Sequence, residues 1–129
     1  MTDPVADMFS RLRNGLAVRQ LEIELPYSKF KHEIAKILVD NNYLPKVSVN
    51  AEGVAKRLVL SLQTDTEPAE IEHIKRLSRP GRRQYVDAAD IPLIKRGRGM
   101  IIISTPKGLM NGQQAKNQKL GGELICEVY

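Results

Sequence analysis

The 129-residue chain has one cysteine, no tryptophan and only two histidines. A single thiol excludes an internal disulfide and fits a reducing compartment. Cys126, His32 and His73 are the only soft or imidazole ligands, and no pair of them has metal-site spacing, so neither a metal nor another cofactor is expected. Aromatic residues make up 5% of the chain, so the core must be built from Ile, Leu and Val. No apolar run approaches the roughly 18 residues of a membrane span. The first residues include Asp3 and Asp7 and lack the basic-then-apolar pattern of a signal peptide. A soluble, cytoplasmic protein with no membrane partner is the expectation. Catalytic groups are missing too. Ser104 has no Gly-x-Ser-x-Gly elbow, His32 lies among Lys29, Lys31 and Glu33, and Glu22 and Glu24 share the solvent-facing side of a strand pattern. Nothing supports an enzyme.

Acidic charge is scarce in one place above all. Between Lys75 and Lys107 nine basic residues stand beside only Asp87 and Asp90, a local net charge of +7. Met1–Ile74 carries net −2 and Gly108–Tyr129 net 0, so the overall +5 comes from one segment. A localised cationic block points to an anionic partner and says where it docks.

Periodicity divides the chain into two small units of an α+β fold. Asp3 can cap a helix begun by Pro4, with Val5, Met8, Phe9, Leu12 and Leu16 at helical spacing. Leu21, Ile23 and Leu25 alternate with Glu22 and Glu24 as a half-buried strand ended by Pro26. Ser28 can cap a second helix striped by Phe30, Ile34, Ile37 and Leu38. Strands around Lys46–Val49 and Arg57–Leu62 flank a turn at Asn50–Gly53, which completes an αβαββ domain over residues 1–64. The polar stretch Gln63–Pro68 is the candidate linker. Residues 65–129 then form a mainly β domain with a short helix. There Ile71, Ile74 and Leu77 have helical spacing, Met100–Ile103 reads as a buried strand, and Met110–Leu120 suits a surface helix. In the last segment, Leu124, Cys126 and Val128 alternate with Ile125 and Glu127 as a terminal strand, and Cys126 is a packing thiol.

Three motifs in or beside the basic block carry chemistry. In Ser78–Tyr85, Pro-Gly fixes a turn that would gather Arg79, Arg82 and Arg83 beside Tyr85. An aromatic next to guanidinium groups can stack on an unpaired base while the arginines hold phosphates; a core or interface tyrosine is the plainer alternative. Ser104-Thr105-Pro106-Lys107-Gly108 offers hydroxyls and a cation that can reach an RNA minor groove, or is only a local hydroxyl-capped turn. In Arg96-Gly97-Arg98-Gly99 the arginines either contact phosphate or simply stand on the surface of a tight strand entry. On these grounds alone a basic αβ protein-interaction module remains the alternative to RNA binding.

Five blocks in order, DPVADMFSRLRNG, PYSKFK, SRPGRRQY, STPKGLM and LGGELICEV, resemble the family of bacterial small-subunit ribosomal protein eight over nearly the full length. The resemblance implies an αβαββ unit followed by a mainly β unit, and makes Ile71–Leu77 strand against its helical spacing. It implies direct binding to the central domain of 16S ribosomal RNA, neighbouring small-subunit proteins as further partners, a role in early assembly, and repression of the protein's own operon mRNA. By position, it gives Ser104 and Thr105 contacts to bases, with Tyr85, Gly122 and Glu123 beside them. It brings Asn14, Lys29 and Lys31 near neighbouring RNA. Two positions depart from the family pattern: Pro106 stands at a usual serine, and Arg98 at a usual apolar residue between two glycines.

Overall fold

The computed structural model describes residues 3–64, 66 and 71–129. Asp65, Glu67 and Pro68 of the candidate linker lie outside the described residues. The chain separates into two compact units: the described residues of Asp7–Ile71, and Glu72–Tyr129 together with the start of the chain up to Ala6.

The first unit holds most of helix α1 (Pro4–Ala17), strand β1 (Glu22–Pro26), helix α2 (Lys29–Asp40) and strands β2 (Lys46–Asn50) and β3 (Arg57–Ser61). Asp3 Oδ1 accepts the Ala6 N–H at 3.2 Å and Ser28 Oγ accepts the Lys31 N–H at 3.1 Å, so both helices start where their capping residues stand. In α1, Val5, Met8, Phe9 and Leu12 are all buried. The sheet is antiparallel in the order β1-β3-β2. Leu58 in the central strand faces Leu25 and Val49, and Leu60 faces Ile23 and Val47. Each buried leucine contributes on the order of 2 kcal/mol. A one-residue slip of β3 would turn both leucines outward, so the register is strongly fixed.

Two side chains depart from the expected pattern. Leu21 precedes β1 and is 67% exposed. The buried stripe of α2 is Lys31, Ile34, Ala35 and Leu38, while Phe30 is 37% exposed. A lysine can take an apolar position because its four-carbon stem packs like a hydrocarbon.

The second unit holds β4 (Ile74–Arg76), β5 (Tyr85–Val86), β6 (Met100–Thr105), β7 (Gly108–Asn111), helix α3 (Gly112–Asn117) and β8 (Gly122–Val128). Its antiparallel sheet runs β4-β8-β6-β7, with β5 also paired to β8. The short β4 corrects the helical spacing of Ile71, Ile74 and Leu77, because pairing with β8 overrides a weak local preference. The expected surface helix from Met110 starts late: Met110 and Asn111 still belong to β7. Asn111 then closes a capping box with Gln114 that opens α3. Ile91, Ile101, Ile103, Met110, Ala115 and Leu124 form one packed cluster.

The terminal strand corrects a further expectation. Ile102 pairs with Cys126 but Ile103 pairs with Leu124, so Ile125 is an extra residue with no partner in β6. This bulge sends Leu124 into the cluster beside Ile103 and Cys126 to the opposite face beside Ile102. The carbonyl of Ile125 is satisfied on the other side, by the Leu77 N–H at 3.0 Å and Arg76 Nη1 at 2.9 Å. Arg76 is itself paired with Asp3 at 3.2 Å. Cys126 is fully buried, and burial pushes its thiol up to about 12, which makes it inert as a nucleophile.

Candidate nucleic-acid interface

At one end of the second unit's sheet, Tyr85 pairs with Glu123, Glu123 with Ser104, and Ser104 with Leu109. Directly paired residues share a face, so Tyr85, Glu123 and Ser104 form a row with neighbours about 5 Å apart. Tyr85 is 67% exposed and the Ser104 hydroxyl has no hydrogen-bond partner among the described residues. The row therefore presents a bare aromatic face and an uncommitted hydroxyl on either side of a carboxylate.

Two glycines make this close assembly possible. A Cβ on Gly122 would stand 2.0 Å from Ser104 O and 3.1 Å from Thr105 Cα. A Cβ on Gly121 would stand 2.4 Å from Val86 O. The glycine pair thus lets the end of β6 and the end of β5 approach the same stretch of backbone from opposite sides.

Thr105 plays a different part from its neighbour. It is 7% exposed, its hydroxyl donates to Gly108 O at 2.8 Å, and the same oxygen accepts the Lys107 N–H at 3.1 Å. Thr105 pairs with Gly108 across a two-residue Pro106–Lys107 turn, so its hydroxyl closes the turn that holds Lys107 outward. Thr105→Val is therefore expected to destabilise the protein by about 1–2 kcal/mol. Ser104→Ala, which removes a hydroxyl without a partner among the described residues, should leave stability unchanged. Thermal melts of both variants check this division; equal melts would refute it.

The arginine loop is built just as tightly. Arg79 and Arg82 exchange N–H···O bonds of 3.0 and 2.9 Å around Pro80–Gly81. Below them, Ser78 is fully buried and its Oγ accepts the Gln84 N–H at 2.8 Å, which ties the two ends of the loop together. Gln84 O accepts the Leu124 N–H at 2.9 Å and so fixes the loop to β8. Arg79, Arg82 and Arg83 are exposed. Arg83 Nη1 reaches the two Glu123 carboxylate oxygens at 3.1 and 3.4 Å, so the one acid of the row aims a guanidinium beside Tyr85. Half-exposed pairs of this kind add little stability; this one orients.

The structure gathers Tyr85, Ser104, Thr105, Lys107, Gly122, Glu123, Arg79, Arg82 and Arg83 around this end of the sheet. Arg96 and Arg98 stand before the other end of β6, and Asn14 and Lys29 are exposed on the first unit. Lys31 differs from its expected role: it is 7% exposed in the stripe of α2, and burial lowers its pKa against the pull of Asp7. Sequence reasoning passed over Ser78, Gln84 and Gly121. A serine ahead of Pro-Gly and a glycine doublet opening a strand were the available signals. Among the described residues no group of His, Cys, Asp and Glu could hold a metal ion.

The family model described as ribosomal protein S8 matches residues 3–129. The chain is 40% identical over 129 residues to small ribosomal subunit protein uS8 of Ruthia magnifica subsp. Calyptogena magnifica, covering all of this chain and 98% of that one. It is 44% identical over 130 residues to the uS8 protein of Flavobacterium johnsoniae, covering 99% and 98%. To that of Persephonella marina it is 38% identical over 136 residues, covering 100% and 99%.

Proposed function

Because the chain belongs to the ribosomal protein S8 family, whose members are non-enzymatic constituents of the small ribosomal subunit, we propose that the Tyr85–Glu123–Ser104 row is the surface with which it reads small-subunit ribosomal RNA. The observation that carries this reading is an unpartnered Ser104 hydroxyl about two strand spacings, roughly 10 Å, from an exposed Tyr85 ring on the same face. A hydroxyl can donate to and accept from base edges and 2′-hydroxyls, and a ring stacks on an unpaired base. Arg79, Arg82, Arg83 and Lys107 surround the row and supply phosphate contacts, which set affinity and register without reading sequence. Asn14 and Lys29, on the first unit, take part in contacts with neighbouring RNA.

The RNA read in this way is the central domain of 16S ribosomal RNA, and a mimic of that site in the protein's own operon mRNA is a second target. Titration of the protein against transcripts of the separate 16S domains tests the reading. The central-domain transcript should bind at least 10-fold more tightly than the others, and its affinity should survive excess generic duplex RNA. With about four phosphates neutralised, log K should fall with log[salt] at a slope near −3. Equal affinity for all domains, or a flat salt response, would overturn the assignment. Full competition by generic RNA would reduce it to non-specific polyanion binding.

A further inference from the structure

The chain enters β6 from Ile94–Gly99, at the far end of that strand from Ser104. The Gly97 N–H donates to Ile94 O at 3.0 Å, closing a turn whose central residues are Lys95 and Arg96. Their φ angles are +50° and +56°, so both lie in the left-handed region. Two successive positive φ values define a primed turn, which Gly and Asn adopt readily; at Lys and Arg the Cβ crowds the carbonyl oxygen, with no short polar group to compensate. Arg19 and Lys119 also have φ of +58°, but each stands two residues past the last residue of a helix. There Gln20 N–H to Gly15 O at 2.9 Å and Leu120 N–H to Ala115 O at 2.9 Å close the helix ends with a left-handed residue. Lys95 and Arg96 close no helix. The fold asks for a turn here and the sequence supplies two strained cations, a pattern that points from strain to function.

The side chains agree. Lys95 Nζ lies 4.4 Å from the centroid of the Tyr129 ring, which stacks on His73 at 4.5 Å. Lys95 is thereby held against the protein. Arg96 is exposed and has no hydrogen-bond or ion-pair partner among the described residues. Arg98, two residues on, is exposed as well. Glu127, the acid near the end of β8, lies 3.5 Å from His73 Nε2 and opposite Lys75 in the strand register.

We propose that the Lys95–Gly99 turn is a second RNA-contact point, separate from the Ser104 end, where Arg96 grips a backbone phosphate of the same RNA. A guanidinium matches a phosphate with two parallel N–H···O bonds, and a turn without freedom to collapse keeps it projected. Met100 to Ser104 spans roughly 13 Å at about 3.3 Å per residue, so this contact falls outside the reach of the Ser104 row. The two points together would fix the sheet's direction along the RNA, which one point cannot do.

The inference rests on the RNA-binding reading above, and one set of measurements separates the two. Wild type, Arg96→Gly, Arg96→Gln and Arg96→Lys are titrated with small-subunit ribosomal RNA transcribed in vitro at several salt concentrations, and each is melted without RNA. Arg96→Gly relieves the left-handed strain, so its Tm should rise by roughly 2–4 °C. Its RNA affinity should nevertheless fall about 3- to 10-fold, with the salt slope shallower by about 0.7–0.9. Arg96→Gln should lose the same slope without the rise in Tm, and Arg96→Lys should keep most of it. Discrimination between central-domain and generic RNA should be the same in all four proteins. A slope unchanged in both Arg96→Gly and Arg96→Gln overturns the inference alone. Wild-type protein that binds no RNA overturns the underlying reading and this inference with it.

Discussion

Gly122→Ala is expected to lower RNA affinity at least 100-fold and to lower Tm by about 10 °C. The added methyl would stand 2.0 Å from Ser104 O, 2.8 Å from Ser104 C and 3.1 Å from Thr105 Cα, all of them backbone atoms. No rotamer change can relieve such a clash, so β6 and β8 must move apart at the end that carries the row. Overpacking of this kind costs about 1–3 kcal/mol. Each strand hydrogen bond weakened with it costs about 1 kcal/mol more. For a chain of this length a loss of about 3 kcal/mol corresponds to roughly 10 °C. The affinity should suffer further, because Ser104 and Tyr85 are aligned only through Glu123, the residue next to Gly122. A thermal melt and an RNA titration of the variant decide the matter. A Tm within 2 °C of wild type would mean that the sheet end has slack and that the glycine is not needed for close approach.

Tyr85→Ala should show the opposite profile. The ring is 67% exposed and lies outside the packed cluster of its unit, so its removal should shift Tm by no more than 1–2 °C. A base stacked on an aromatic ring is worth about 1–3 kcal/mol, which corresponds to a loss of RNA affinity of roughly 5- to 150-fold. The salt slope should stay at its wild-type value, since no phosphate contact is removed. Tyr85→Phe keeps the face of the ring and should bind within about 3-fold of wild type. If Tyr85→Ala instead melts several degrees lower and binds RNA normally, the tyrosine is a packing residue and the row has no stacking element.

These two variants separate building the site from touching the ligand, and the sequence is unevenly informative about each. Local features were legible: Asp3 and Ser28 cap the helices they precede, and Val5, Met8, Phe9 and Leu12 mark the buried side of α1. Features set by distant partners were not. Ile74–Arg76 is strand because β8, some fifty residues later, pairs with it. Lys31 stands in a buried stripe that its charge disguises. At the site, charge located the Arg79–Arg83 loop, yet the placing of Glu123 between Tyr85 and Ser104 depends on two strand registers that no local pattern encodes. The two hydroxyls of Ser104 and Thr105 look equivalent on paper. Only the turn geometry commits one of them to Gly108 O and Lys107 N and leaves the other open.

The extra residue at Ile125 has a consequence for which changes this protein can tolerate. It acts as a phase shifter within β8: the half before it and the half after it present alternate residues to the same face. Exchanging Ile125 for valine or leucine keeps the count and the carbonyl. Deleting it would leave the pairing with β6 in order, Cys126 against Ile102, Leu124 against Ile103 and Glu123 against Ser104, so no side chain would change face. The loss would fall on the other edge of β8. The carbonyl that accepts the Leu77 N–H and Arg76 Nη1 would be gone, and β8 would be one residue shorter between its pairings with Arg76 and Tyr85. The extra residue is thus a spacer for the β4 side of the strand, and the β6 side merely accommodates it.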